Sequence, residues 1–409
     1  MSAASVNESG GTYSVIETRE DYLAAVERIA GGEGPLAIDA ERASGYRYSQ
    51  RAYLIQVFRR GAGTFLFDPP AIGSFAELNE AVHDVEWVFH AASQDLECLR
   101  EVGLDPQRIF DTELGARLAG LPRVGLGTVV ESLLGIHLAK EHSAADWSTR
   151  PLPASWLLYA ALDVELLVDL REAVARLLEE QDKSEIADQE FAEVLNRTAR
   201  PSSRGEGWRR LSGVHSIRNP RNLAVAKALW EARDAYARET DVAPGRLVPD
   251  ASLVAAAKAL PASKRELASL KEFIGRASRS ELGRWWSAIE EGKAAEELPS
   301  LRVPGVETIP PPKAWADRNP DADRRLKAAR PRVVERAEAL SLPVENLLTP
   351  DTLRRVAWTP PEPLTVESLV VALANLGARP WQIDATVQII HDAFVEASQG
   401  VSEGEESPS

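Results

Sequence analysis

The chain has 409 residues, 44% of them hydrophobic, enough for roughly two to four domains with substantial cores. Lys and Arg number 47 against 62 Asp and Glu, a formal net charge of −15 that argues against a polyanionic partner, because phosphate binding rests on Lys and Arg contacts. One cysteine and one methionine exclude a disulfide framework and a cysteine-built zinc site; the N-terminus lacks the basic start and apolar core of a signal peptide, and no run reaches the roughly 18 to 20 apolar residues of a membrane span, so a soluble, cytoplasmic protein is expected.

Residues 1–12 carry no pattern and are expected to be flexible. Short apolar runs at 36–40, 53–58, 64–67 and 87–90 predict strands, bounded by turn sequences such as Gly31-Gly32-Glu33-Gly34-Pro35 and Arg59-Arg60-Gly61-Ala62-Gly63. Helical patterns follow at 93–102, 111–119, 126–134 and 154–181. The first three strands lie close together in sequence and predict antiparallel pairing, whereas later elements alternate strand and helix; a mixed α/β sheet is expected over 13–200. Beyond it the strand signal ends. A polar, breaker-rich stretch at 200–207 leads into helical patterns at 221–239, 250–259, 263–269 and 280–291, an all-α unit over 205–292. A proline-rich linker, 293–313, precedes a second all-α unit over 314–397, with patterns at 321–341, 350–357, 364–376 and 380–397; the acidic tail 398–409 has a disordered composition.

Three features carry chemistry. Leu36-Ala37-Ile38-Asp39-Ala40-Glu41 is an apolar strand ending in two acids separated by one residue, so Asp39 and Glu41 share one face and Ile38 and Ala40 the other. Like charges so placed repel strongly unless a cation or proton lies between them, although a solvated strand end is the commoner meaning of such a pair. After the next core strand, Asp95 falls in the first turn of a helix that Ser93 can cap, where helix-dipole stabilisation alone would explain an acid. In the apolar helix Trp156-Leu157-Leu158-Tyr159-Ala160-Ala161-Leu162-Asp163, the spacing i, i+4 puts Tyr159 and Asp163 on one face. Four carboxylates on a strand and two helices suit a pair of hard cations, Mg²⁺ or Mn²⁺, and two such ions about 4 Å apart suit phosphodiester hydrolysis, with a tyrosine in reach to orient the attacking water. The six histidines show no zinc-hydrolase pairing, and there is no phosphate-binding Gly-x4-Gly-Lys loop.

Asp39-x-Glu41 after a strand, His90-x4-Asp95-Leu96 after another and Tyr159-x3-Asp163 in a late helix make the chain resemble the DEDD exonucleases of the tyrosine subclass, and among them the ribonuclease D family. Ala52-Tyr53-Leu54-Ile55-Gln56, Ile109-Phe110-Asp111-Thr112-Glu113 and Asp146-Trp147-Ser148-Thr149-Arg150-Pro151-Leu152 add family-like context; the resemblance covers about 13–180. It implies an RNase H-like mixed sheet, metal ligation by Asp39, Glu41, Asp95 and Asp163, and nucleophile positioning by Tyr159. Ala40 departs from the family, where Thr is frequent, but faces away from the metals. The implied activity is removal of nucleotides one at a time from an RNA 3′ end, releasing 5′-monophosphates. Phe110, Trp147 and Tyr46 are candidates for stacking on terminal bases, Arg150 for a phosphate, and Gln56 and His90 for further substrate contacts.

The block 201–290 sums to +6, between blocks of −15 and −6, and its Trp208-Arg209-Arg210-Leu211 and Pro244-Gly245-Arg246-Leu247-Val248-Pro249-Asp250 segments resemble an HRDC domain, a helical module that often binds nucleic acid. Residues 313–395, with Leu347-Leu348-Thr349-Pro350 before a short helix, look like a second, divergent copy. The expectation is a monomeric, metal-dependent 3′–5′ exoribonuclease acting on tRNA precursors or other small structured RNAs, with Arg209 and Arg210 as RNA contacts. A DNA exonuclease and a non-catalytic RNA or protein scaffold remain alternatives.

Overall fold

The computed structural model describes residues 13–138, 144–199, 206–301 and 309–399. The first unit is built on a six-stranded sheet in the order β1-β4-β3-β2-β5-β6, from β1 (Val15–Ile16), β2 (Glu33–Arg42), β3 (Ala52–Arg60), β4 (Gly63–Phe67), β5 (Trp87–Phe89) and β6 (Ile109–Asp111). β2, β3 and β4 pair antiparallel, as their short connections require, while β2–β5, β5–β6 and β1–β4 are parallel. β2 is central, and Leu36, Ala37 and Ile38 are completely buried because helices cover both faces.

Between and after the strands lie α1 (Arg19–Ala30), α2 (Leu96–Glu101), α3 (Thr112–Leu118), α4 (Leu126–Leu134), α5 (Ala154–Glu165), α6 (Leu167–Glu180) and α7 (Ser184–Ala199). The sequence pattern at 154–181 predicts one helix, but the structure breaks it at Leu166 into α5 and α6. Glu165, at that break, accepts hydrogen bonds from Tyr13 Oη (2.7 Å) and Thr64 Oγ1 (2.6 Å), which fixes the end of α5 against β4. Neither α1 nor α7 stood out in the sequence, because each buries a narrow stripe among charged residues: Tyr22, Ala25, Val26 and Ile29 in α1, and Ala187, Phe191 and Val194 in α7.

Two helical units follow with the same order of elements. In the first, α8 (Pro220–Thr240) and α9 (Asp250–Ala259) pack with α10 (Leu282–Ala294) around Trp208, Phe273 and Trp285. A Cβ at Gly292 would lie 2.5 Å from Val225 Cα, so only glycine lets α8 and α10 approach so closely. In the second, α11 (Pro320–Ala339), α12 (Pro350–Trp358), α13 (Val366–Asn375) and α14 (Pro380–Gln399) repeat the long–short–long pattern. Its core is continuous with that of the sheet unit. Glu190 on α7 accepts two hydrogen bonds from Arg379 (2.6 and 2.7 Å) and one from Trp381 Nε1 (2.8 Å), and Lys183 Nζ donates to the carbonyls of Leu118 and Ser341.

Candidate active site

The last residues of β2 place Asp39 and Glu41 on one face, and α5 packs against that strand with Tyr159 and Asp163 one helical turn apart. Oxygens of Asp39, Glu41 and Asp163 lie within 4.8 Å of one another. They line a cleft of about 320 Å³ together with Asp95, Tyr159, Arg42, Tyr46, His90 and Gln94. Asp95 stands at the N-cap of α2, yet its side chain makes no capping hydrogen bond, and Ser93 does not cap the helix either. Helix stabilisation therefore does not account for Asp95; its carboxylate faces the cleft, 3.7 Å from Arg42 Nη2.

Burial without a matching number of cations shows in the acid–base behaviour. Asp163 is pushed up to about 8 by burial and then by the charge of Asp39, with the Tyr159 hydroxyl hydrogen-bonded to it pulling the other way. Asp39 is raised by burial, opposed by the Ala40 backbone N–H and by Arg42. Glu41 and Asp95 are raised well above the carboxylate range by burial and by neighbouring carboxylates, again with Arg42 opposing. Tyr159 is held above its ordinary value by burial and by Asp163 and Glu41, so its hydroxyl keeps its proton. One arginine beside four acids, Asp95 buried and Asp39, Glu41 and Asp163 half-buried, leaves a strong deficit of positive charge. An all-oxygen donor set in that state fits hard divalent cations, which suit carboxylates and would stabilise the ionised forms that burial opposes.

Two residues have roles here that sequence pattern does not reveal. Arg42 directly follows Glu41 and is the cation that lines the cleft. Asp111, buried at the end of β6, accepts hydrogen bonds from the backbone N–H groups of Ala91 (3.0 Å), Ala92 (2.9 Å), Glu113 (3.0 Å) and Leu114 (3.1 Å). It caps α3 and at the same time fixes the turn that carries Asp95, a turn in which Ala91 adopts φ +70°. Its signal was present as an Asp immediately before a helix, but its second set of partners lies 20 residues away in sequence.

The remaining candidates divide. Tyr46 and His90 line the cleft. Gln56 is completely buried opposite Asp39 in the β2–β3 register, and its Nε2 donates to Asp39 Oδ2 (3.3 Å), so it supports a carboxylate. Thr112 Oγ1 donates to the Phe89 carbonyl, so His90 Nδ1 is the donor in its 2.9 Å contact with Thr112; burial pulls His90 down to about 4, leaving the ring neutral. Two expectations are corrected by burial. Phe110 packs against Phe191 in the core (centroids 4.9 Å apart), and Trp147 is fully buried between Trp156 and Tyr159, so neither ring has a face for a base; Trp147 instead backs the tyrosine. Arg150 places four of its five guanidinium N–H groups on Asp68 (2.6 Å) and on the carbonyls of Trp147, Thr149 and Tyr53 (2.8 Å each), which makes it chiefly a structural brace. Arg209 and Arg210 lie away from the cleft; Arg209 donates to Glu206 (2.5 Å) and the Ser300 carbonyl (3.0 Å), while Arg210 is exposed.

Comparison with known proteins agrees with this geometry. Residues 13–179 match the family model described as 3′-5′ exonuclease, 222–289 the HRDC domain and 308–394 the 3′ to 5′ exonuclease C-terminal domain. Ribonuclease D of Jannaschia sp. (strain CCS1) is 31% identical over 310 residues, covering 74% of this chain and 78% of that protein. A protein from Bifidobacterium adolescentis of known crystal structure is 35% identical, with a TM-score of 0.87 over 96% of this chain and 100% of that one. Escherichia coli RNase D, at 23% identity, shares the fold with a TM-score of 0.69 over 94% of this chain and 99% of its own. With a carboxylate cleft on an exonuclease sheet, an HRDC unit and a C-terminal exonuclease unit in one chain, the protein is a 3′–5′ exonuclease belonging to the ribonuclease D family.

Proposed function

We propose that the chain is an exoribonuclease that removes nucleotides singly from RNA 3′ ends, releasing 5′-monophosphates, with two Mg²⁺ or Mn²⁺ ions held by Asp39, Glu41, Asp95 and Asp163. The observation that carries this is the convergence of Asp39, Glu41 and Asp163 oxygens within 4.8 Å, beside Tyr159, in an open cleft. When bound, the cations lower the pKa of the attacking water and neutralise charge on the leaving oxygen. Tyr159, protonated and held on its helix by Asp163 and by Trp147 behind it, orients that water through its hydroxyl. Arg42 holds Asp95 toward the cleft, and Gln56 holds Asp39. Residues 13–200 perform the hydrolysis, and the unit over 205–292 holds the RNA. RNA rather than DNA is supported by the relatives named ribonuclease D and by the HRDC unit. The E. coli relative is described as an exoribonuclease involved in structured RNA processing, and tRNA precursors or other small structured RNAs are the substrates we propose here.

The test follows RNA and DNA oligonucleotides labelled at either end, with Mg²⁺ or Mn²⁺, for the native chain and for Asp39→Ala. Stepwise shortening of 5′-labelled RNA, with mononucleotides released at once from 3′-labelled RNA and a loss of about 10³-fold or more in the variant, is expected. A wild type inert with both metals, or full activity in Asp39→Ala, would overturn the reading; faster hydrolysis of DNA would transfer it to the other sugar.

A further inference from the structure

The loop at 43–51, between β2 and β3, is clamped to the first helical unit. The Tyr46 carbonyl accepts from Ala243 N–H (2.9 Å), the Ser49 N–H donates to Asp241 Oδ1 (3.0 Å), and Tyr48 Oη donates to Asp234 (3.0 Å). This places Arg246 on the lip of the cleft. Its Nε donates to the Gly45 carbonyl (2.6 Å), its guanidinium lies 3.9 Å from the centroid of the Tyr46 ring, and Gly45 and Tyr46 both line the cleft. Nη1 and Nη2 of this exposed arginine have no hydrogen-bond or ion-pair partner among the described residues.

A second loop lies alongside. The Ala277 N–H donates to the Leu247 carbonyl (3.1 Å) and the Arg276 N–H to that of Arg246 (3.4 Å). Gly275 makes the approach possible, with φ +126° and a would-be Cβ 2.3 Å from the Leu247 oxygen. That loop presents Lys271, Arg276 and Arg279, all exposed and none in an ion pair among the described residues. Other exposed cations also lack an ion pair among the described residues, Arg210, Arg218 and Lys264 among them; what sets these four apart is their place on two loops that meet at the cleft lip. Four unpaired cations that begin at the cleft mouth, the first stacked on a tyrosine, match what a single strand asks of a protein: charge along its backbone and aromatic surface near its bases.

We propose that Arg246, Lys271, Arg276 and Arg279 form the track for the phosphate backbone of single-stranded RNA just upstream of the 3′ terminus, with Arg246 contacting the first phosphate outside the cleft. This rests on the nucleic-acid reading of the cleft but not on its catalysis. Binding of fluorescent single-stranded RNA of about 12 nucleotides, longer than the cleft, is measured across salt concentrations in the full chain carrying Asp39→Asn, which keeps the RNA intact. Arg246→Ala and Arg276→Ala should each weaken binding about fivefold to tenfold and each reduce the salt slope by roughly 0.7. Arg246→Lys should keep the slope, since the charge stays. A dinucleotide, too short to leave the cleft, should bind all variants alike. Unchanged affinity and slope in Arg276→Ala would overturn the track, and an equal loss on the dinucleotide in Arg246→Ala would make that arginine a brace for the loop instead. An inert wild type that still binds RNA through these arginines would sink the hydrolytic reading and leave this one standing.

Discussion

Asp163 illustrates how the site trades stability for function. Its carboxyl ionises near 3.8 in an unfolded chain and near 8 in the fold, so the folded state holds the proton more tightly than the unfolded one. The stability this contributes is fully present below about pH 3.8 and is lost as pH rises toward 8; Asp39, Glu41 and Asp95 shift in the same direction. Without divalent cations, the contribution of these four groups to the melting temperature should therefore fall from acid to mildly alkaline pH. Added Mn²⁺ should raise the melting temperature far more at pH 8 than at pH 5, with protons released on binding, measured by calorimetry in two buffers of different ionisation enthalpy. Equal stabilisation at both pH values would contradict it. At Tyr159, loss of the hydroxyl alone should separate chemistry from binding: Tyr159→Phe is expected to lower kcat about 10²-fold with KM nearly unchanged, read by steady-state hydrolysis of labelled RNA.

Elements aim these residues. The break at Leu166 lets α5 point Tyr159 and Asp163 at the end of β2 while α6 turns away to pack Val168, Leu170 and Val174 into the core. The turn after β5 does the same for Asp95, and it depends on a carboxylate from the neighbouring strand. Asp111→Ala removes the acceptor of four backbone N–H groups, two on that turn and two on α3. We expect it to destabilise the fold by about 3 kcal/mol in urea unfolding, and to lower kcat at a temperature where the variant is still folded, because the turn bearing Asp95 relaxes. Unaltered kcat in the folded variant would restrict Asp111 to a structural role.

Across the whole molecule, the helical units are attached in different ways. The C-terminal one shares a core with the sheet unit, and its Arg379 and Trp381 converge on the nearly buried Glu190. Glu190→Ala strands an arginine and an indole N–H at that junction, and should cost about 2 to 3 kcal/mol and lower the melting of both units together, as followed by hydrogen exchange. The other unit has its own core and meets the sheet unit through the 43–51 loop, in polar contacts from Asp234, Asp241 and Arg246. Its exchange should be almost unmoved by Glu190→Ala. The arrangement also shows how net charge misleads: four carboxylates gather in one cleft, and the exposed Arg246 stands at its lip.

Much of this was determined by the sequence alone, because local physics encodes it. Two-residue periodicity put Asp39 and Glu41 on one face, four-residue helical spacing did so for Tyr159 and Asp163, and the change from alternating strands to pure helical pattern separated the sheet unit from the helical ones. Tertiary structure decided what depends on neighbours distant in the chain. Phe110, Trp147 and Arg150 have types that suit RNA contact, and only the tertiary structure shows the rings enclosed and the guanidinium tied to Asp68 and three carbonyls. Arg42 and Asp111 gain their roles from partners brought over by other elements, and α7 is a helix because Phe191 and its neighbours have the core of two units to bury against. The position of Arg246 is of the same kind: a surface arginine by sequence, it stands at the mouth of the cleft because a loop 200 residues earlier folds against its turn.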